Sequence, residues 1–363
     1  MMSKANRQSN VELLRIIAIM GVVVLHINNP FLGGGLSYVQ HGSLNFYVLY
    51  ALESLFMCAV DLFMLISGYF MCNGKSRNLW KPIELIVQVI LINEALYICQ
   101  KLASHGSLSW GSVIRNLIPA NYFVILYCTV YIVSPFINNL IDSLSDRGFR
   151  NLVIVLFLLF SIYPSAVDVL GELQGEAFIG LSTVGAYGSQ WGYTFINFAM
   201  MYIIGAYLRK CRSKLSEAGS PVLTGALVCC VMILVLWARI NDKTGYLAER
   251  TAWDYCNPVV IIEAAIIFVL FTRLNFGTVR LINILAKACF TTFLIHPALI
   301  KYIPIETLVS ENTVVMLLKI FMYVAAVYAV SWIVYMVYSA VTGPVFRALR
   351  KRFEIPLIDA GDR

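Results

Sequence analysis

The sequence is poor in charged residues. Only 13% of its 363 residues are Asp, Glu, Lys or Arg, whereas 60% are hydrophobic. Soluble globular proteins carry about 25% charged residues, so the polar side chains here are too few to cover a water-soluble protein. The mean hydropathy of +0.77 agrees with this conclusion. The composition therefore predicts an integral membrane protein.

Other common features are also missing. The nine cysteines form no CxxC pair and show no metal-ligand spacing, so we expect neither a disulfide framework nor a metal site. No connection between apolar runs exceeds about 20 residues, which leaves no room for a soluble domain. The basic residues behind the net charge of +7 form short clusters, which does not favour a nucleic-acid partner. Arg15 interrupts the first apolar run and no cleavage site follows, so we expect an uncleaved first span.

Long apolar runs are what the sequence does contain. A helix needs about 20 apolar residues to cross the hydrocarbon of a bilayer. Ten such runs occur, at 10–28, 46–72, 82–100, 121–140, 151–170, 191–209, 222–240, 257–273, 283–302 and 313–342. We expect an all-α, polytopic membrane bundle of about ten transmembrane helices. Its parts are an N-terminal tail (1–9), a membrane domain (10–342) and a basic C-terminal tail (343–363).

The positions of the basic residues predict the orientation of these spans. Of the 27 Lys and Arg residues, 18 lie in segments on the side of the two termini and 6 in connections on the other side. Cytoplasmic connections are rich in Lys and Arg, so both termini are expected in the cytoplasm. The Gly-rich connection 171–190 has two Glu and no Lys or Arg, and is expected to be a mobile segment facing outward.

The first span, ELLRIIAIMGVVVLH, contains both a cation and an imidazole. Eleven residues make three helical turns plus about 20°, so Arg15 and His26 project from one face about 16 Å apart. Charge within a membrane is costly, and it often marks a functional site. An anionic ligand held at Arg15 would reach His26 with its other end. The alternative is that Arg15 snorkels and pairs with Glu12, while His26 merely ends the helix.

Three further stretches accompany this pair: LFMLISGYF with the basic cluster GKSRNLWKP after it, NYFVILYCTVYIVSPFIN, and TFLIHPALI around His296. Together with the Arg-x10-His spacing they resemble the acyltransferase-3 family, over nearly the whole chain. Members of that family are polytopic bacterial membrane enzymes that O-acylate sugars of surface polysaccharides. The Arg-x10-His pair and the SGYF stretch with its basic cluster are the specific parts of the resemblance.

The resemblance implies roles for particular residues. His26 would be the catalytic residue, and Arg15 would support the acyl-donor site. In the family the basic cluster is often Arg-Arg-x-x-Arg and is assigned to acyl-CoA. Here it departs from that pattern, with Lys75, Arg77 and Lys81, and Ser67 precedes it. Cations of this kind would hold the phosphates of coenzyme A, although they would also serve as an ordinary topology signal.

Further polar residues in or beside the spans are candidates for binding the acceptor or supporting His26. Intramembrane carboxylates usually face a cavity or a partner, so structural pairing is the alternative for each. The set comprises Glu53, Asp61, Glu94, Tyr255, Asn257, Glu263 and His296.

The sequence thus predicts an O-acetyltransferase of the bacterial inner membrane. It would use acetyl-CoA as co-substrate, with no bound cofactor or metal, and a glycan or lipid-linked sugar as acceptor. The sequence leaves open whether the acyl group is instead succinyl or longer. It also leaves open whether transfer is direct or passes through an acyl-histidine intermediate, and what the oligomeric state is. The rival is a transporter or flippase of a lipid-linked sugar, since buried charges and a proline-broken helix occur there too.

Overall fold

The computed structural model describes residues 8–119, 121–174, 190–212, 219–244, 249–353 and 357–359. Their regular structure is almost wholly helical, which confirms a helical membrane bundle. All but five residues of the connection 171–190 lie outside the described residues. The helices are α1 Ser9–Asn28, α2 Gly35–Tyr38, α3 Leu44–Phe56, α4 Ala59–Met71, α5 Trp80–Ala103, α6 Trp110–Asn116, α7 Tyr122–Asp142, α8 Asp146–Phe157, α9 Tyr163–Gln174, α10 Phe195–Lys210, α11 Ser220–Thr244, α12 Glu249–Ala252, α13 Pro258–Arg273, α14 Arg280–Leu285, α15 Cys289–Ile300, α16 Ile305–Val309 and α17 Thr313–Arg352.

Eight helical segments among the described residues are long and apolar enough to cross a membrane. They match eight of the ten predicted spans to within a few residues at most ends. The other two predicted spans, 191–209 and 257–273, coincide with α10 and α13, which have 16 residues each. The total of ten spans therefore stays a prediction, as does the cytoplasmic position of the termini.

Several spans depart from a simple continuous α-helix. The second is divided at Met57 and Cys58 into α3 and α4. The fifth passes through a π-helical stretch, Leu158–Ile162, between α8 and α9. The ninth joins α14 to α15 through a 3₁₀ turn, Ala286–Ala288. The last helix continues past 342 to Arg352, so part of the predicted C-terminal tail is helical.

One pair of short strands was not predicted. Strand β1 (Ser76–Asn78) pairs antiparallel with strand β2 (Leu357–Asp359), with Arg77 opposite Ile358. The C-terminal part of the chain therefore returns to the basic cluster that follows α4.

Helix α1 lies at the centre of the bundle. It contacts α3, α4, α13, α14, α15 and α17. Its apolar side chains are deeply buried, with Leu14, Val23 and Ile27 fully inaccessible. Because α1 is enclosed on most sides, its polar residues Ser9, Glu12 and Asn28 are buried within the protein.

Helices α4 and α10 cross at very short distance because each has a glycine at the crossing. A Cβ atom on Gly68 would lie 1.9 Å from the carbonyl oxygen of Tyr202. A Cβ on Gly205 would lie 2.2 Å from the carbonyl oxygen of Leu65. The glycine of the SGYF stretch thus has a packing role.

Candidate active site

Two histidines from distant parts of the chain meet at the end of α1. His26 lies in the last turn of α1 and is half-buried, and His296 lies in α15 and is almost fully buried. Their ring centroids are 4.7 Å apart in an edge-to-face arrangement. His296 Nε2 lies 3.3 Å from His26 Nδ1.

Backbone carbonyls fix the tautomers of both rings. His26 Nδ1 lies 2.8 Å from the oxygen of Val22, and His296 Nδ1 lies 2.9 Å from the oxygen of Thr292. A carbonyl oxygen only accepts hydrogen bonds, so in each neutral ring Nδ1 bears the proton. His296 Nε2 is then an acceptor, and at 3.3 Å it shares the Nδ1–H of His26 with the closer carbonyl oxygen of Val22. The lone pair of His26 Nε2 remains available as a base.

The backbone around His26 is held by the loop after α1. Gly33 N–H donates to the carbonyl oxygen of His26 at 3.0 Å. A Cβ on Gly33 would lie 2.3 Å from the oxygen of Ile27, so only glycine allows this approach. Two residues beyond His26, Asn28 Nδ2 donates to Glu53 Oε2 at 3.0 Å. Glu53 therefore anchors the end of α1, and the structure shows no contact with His26.

A cavity of about 490 Å³ runs beside α1. It is lined by Glu12, Arg15, Ile19, Val22, Val60, Phe63, Ser67, Lys81, Leu85, Gln88, Phe123, Val124, Tyr127, Ala286, Lys287, Cys289, Phe290, Phe293 and Tyr335. His26 is not among these residues. Val22 lies one turn before it, and the ring of Phe293 lies 6.1 Å from that of His296. The cavity therefore ends beside the histidine pair.

The polarity of the cavity changes along its length. Lys81, Lys287 and the Glu12–Arg15 pair lie at the end near the start of α1, where α5 and α15 also begin. The other end is lined by Val22, Phe63, Phe123 and Phe293. Since α1, α5 and α15 run one way and α4 and α7 the other, Val22, Phe63, Phe123 and Phe293 all lie toward the histidines, with Gln88 of α5 at a similar depth. The result is a charged mouth and an aromatic inner end.

Arg15 lies in both of the environments that the sequence suggested: it pairs with Glu12 and it lines the cavity. Its Nη1 donates to Glu12 Oε1 at 2.8 Å, so the i,i+3 pair is present. Its side chain also lines the cavity and remains about one-third exposed. Pairing with Glu12 thus orients the guanidinium at the mouth without removing it from the cavity.

The basic residues of the cluster after α4 lie in different environments. Lys81 lines the cavity, as does Ser67, which donates to Phe63 O. Lys75 is exposed and does not line it. Arg77 is only 8% exposed, and its guanidinium donates to Ser134 and to two backbone carbonyls. This geometry holds together the segment between α4 and α5.

The remaining candidates lie apart from the cavity. Asp61 accepts from Asn197 Nδ2 at 3.3 Å, and Asn257 caps α13 by accepting from Val259 N–H. Among the described residues, neither carboxylate oxygen of Glu263 nor Oε1 of Glu94 has a hydrogen-bond partner.

Tyr255 lies at the start of the segment that leads into α13. It is buried against Tyr193, with ring centroids 4.8 Å apart, and its N–H donates to Trp191 O. Burial raises the pKa of the Tyr255 hydroxyl well above its usual value, so this group stays protonated.

Sequence reasoning did not single out four polar cavity residues: Lys287, Gln88, Tyr127 and Tyr335. Two signals could have found Lys287 and Gln88. Lys287 is a cation inside a predicted span, which is itself an indication of function. Gln88 lies seven residues after Lys81, so the two share a helix face, and its Nε2 donates to Thr291 at 2.9 Å.

Comparison with known proteins gives one match. A family model described as an acyltransferase domain matches residues 8–336. The match includes α1, both histidines and every residue that lines the cavity. Neither curated proteins nor solved structures gave a match.

Proposed function

The chain belongs to the acyltransferase-3 family, and from that premise we propose a membrane O-acetyltransferase that modifies a sugar. It would move an acetyl group from acetyl-CoA to a hydroxyl of a surface polysaccharide or its lipid-linked precursor, in the bacterial inner membrane. One observation carries this proposal: a cavity with a cationic mouth and an aromatic inner end stops beside two histidines of fixed tautomer.

The cationic mouth suits the phosphates of coenzyme A. Arg15, Lys81 and Lys287 come from three different elements and reach the same end of the cavity. Arginine and lysine bind phosphate through charge-assisted hydrogen bonds. With the predicted orientation this end opens to the cytoplasm, where acyl-CoA is found. Gln88, Ser67 and Tyr127 are polar groups farther along the same cavity, suited to the amides of the pantetheine arm.

His26 is suited to general-base catalysis. Its Nε2 would take the proton of the sugar hydroxyl as the hydroxyl oxygen attacks the thioester carbonyl. The tetrahedral intermediate would then collapse, breaking the C–S bond, and the imidazolium would return the proton to the departing thiolate. His296 Nε2 accepts from Nδ1–H of His26 and so keeps the ring oriented throughout. An attack by His26 Nε2 itself, giving an acyl-histidine, fits the same geometry.

The test is release of coenzyme A by purified protein in nanodiscs, with acetyl-CoA and a bacterial glycan-lipid extract. We expect release that rises with the extract and falls at least 100-fold in His26→Ala, because general-base catalysis contributes about 10²–10⁴-fold. His105→Asn is the matched control: His105 is exposed with φ of +50°, which Asn tolerates.

Two results would overturn the proposal. One is release by His26→Ala equal to that of the unmodified protein. The other is neither release nor binding of acetyl-CoA, which would favour the flippase.

A further inference from the structure

The inner end of the cavity is formed by three phenylalanines from three helices. The ring of Phe123 lies 6.1 Å from that of Phe63 and 5.0 Å from that of Phe293. Phe293 in turn lies 6.1 Å from His296. The rings therefore form a connected wall at the inner end of the cavity, beside the histidine pair.

No charged side chain among the described lining residues belongs to this wall; the polar side chain at a similar depth is Gln88, whose Nε2 donates to Thr291. The other lining residues of the wall are aliphatic, Ile19, Val22 and Val60. The cations of the described lining residues, Arg15, Lys81 and Lys287, are all at the opposite end; on α1, seven residues, or about 10 Å, separate Arg15 from Val22. A carboxylate at the inner end would lie unpaired in an apolar environment, which is strongly unfavourable.

The wall also limits the length of the acyl group that the cavity can hold. The whole cavity holds about 490 Å³, and the pantetheine arm would occupy the part between the mouth and the rings. The space beside Phe293 is bounded by the rings of Phe123 and Phe290, 5.0 and 6.5 Å from it. Protein interiors resist such overfilling, because inserting extra methylene groups forces side chains off their preferred rotamers.

We infer that Phe63, Phe123 and Phe293 determine which acyl group the enzyme accepts, admitting a short uncharged one and excluding carboxylated or longer ones. The inference rests on the proposed function, since it describes the acyl end of the same donor site. Phe293 is the main determinant, because it contacts both Phe123 and the ring of His296.

The experiment compares kcat/KM for acetyl-, butyryl- and succinyl-CoA. For the unmodified protein we expect succinyl-CoA to be about 100-fold poorer than acetyl-CoA, the factor that corresponds to an uncompensated charge in a membrane helix. Phe293→Ala should raise the ratio of butyryl to acetyl about 16-fold, because butyryl has two more methylenes and each buried methylene contributes about fourfold.

Phe321→Ala is the matched control. Phe321 lies in α17, is 69% exposed and does not line the cavity, so its removal should leave the butyryl-to-acetyl ratio unchanged. Phe123→Ala is a second test at the same wall, for use where Phe293→Ala does not fold, and should also raise that ratio.

The outcomes separate this inference from the proposed function. No turnover with any acyl-CoA would contradict the proposed function. Turnover of acetyl-CoA together with equal turnover of succinyl- or butyryl-CoA would overturn the inference alone. So would an unchanged butyryl-to-acetyl ratio in the folded Phe293→Ala or Phe123→Ala variant.

Discussion

At the scale of single residues, the surroundings of a cation decide its role. Arg77 and Lys81 lie four positions apart in one basic cluster. Arg77 is buried, with hydrogen bonds to Ser134 and to backbone carbonyls, whereas Lys81 is exposed at the mouth of the cavity. A sequence shows that both are positive and near a helix end. It does not show which one is surrounded by protein acceptors, because the Ser134 hydroxyl lies 57 positions away and the local carbonyls of Met71 and Ser76 face Arg77 only in the folded segment.

We therefore predict different effects for the two cations. Arg77→Gln should lower thermal stability and protein abundance, because hydrogen bonds from a buried charged group contribute about 1.5–3 kcal/mol each. Lys81→Gln should leave stability unchanged and raise the KM for acetyl-CoA about tenfold. Thermal unfolding in detergent and donor kinetics measure the two effects. A normal melting temperature with a raised donor KM in Arg77→Gln would instead assign Arg77 to the donor site.

The candidate site was partly predictable at this scale. Arg15 and His26 stand out because charge within a span is rare, and their spacing places them on one helix face. In the structure Arg15 lines the cavity and His26 does not, and the catalytic roles of both stay predictions. Glu53 was a candidate on the same grounds, yet it binds Asn28. The pairing of a carboxylate depends on side chains packed against it, and those are set by tertiary structure.

At the scale of helices, close packing depends on glycine. Gly68 and Gly205 let α4 and α10 approach until backbone atoms meet. Small residues at helix interfaces are a general means of association in membranes, where the lipid provides no hydrophobic driving force. The crossing also fixes α4, which supplies Phe63 and Ser67 to the cavity.

We predict that Gly68→Ala destabilises the protein by about 1–3 kcal/mol, the usual cost of overpacking. Gly225→Ala is the control: Gly225 lies in α11 with no atom within 4 Å of an added Cβ. That substitution should raise stability by up to about 1 kcal/mol through helix propensity. Equal melting temperatures for the two variants would show that the α4–α10 crossing tolerates a side chain.

The long apolar helices were predictable because length and hydropathy alone define them. The interruptions were not. The break at Met57 and Cys58 falls within a continuous apolar run, and strands of three residues are too short to produce a periodic pattern. Such local departures depend on packing between segments far apart in the chain.

At the scale of the whole molecule, the distribution of Lys and Arg predicts the orientation. The same distribution places the charged mouth of the cavity on the side of the two termini. The cytoplasmic position of the termini and the entry of acyl-CoA at the mouth therefore form a single hypothesis, because acyl-CoA is found in the cytoplasm.

We predict that a tag added after Arg363 is detected only in permeabilised cells. A tag inserted after Gly106, in the exposed connection between α5 and α6, should be detected on spheroplasts. Antibody labelling with and without permeabilisation measures both. Detection of the C-terminal tag on intact spheroplasts would mean that the termini do not both face the cytoplasm.

The separation of the two histidines has a consequence for biosynthesis. His26 and His296 are 270 residues apart, and translation proceeds at about 5–20 residues per second, so about 15–50 s pass between their syntheses. Asn28 and Glu53 are 25 residues apart and can pair within seconds. The anchor at the end of α1 is thus in place early, while the histidine pair assembles late. A ribosome that stalls before α15 leaves a nascent protein with an anchored His26 and no partner ring.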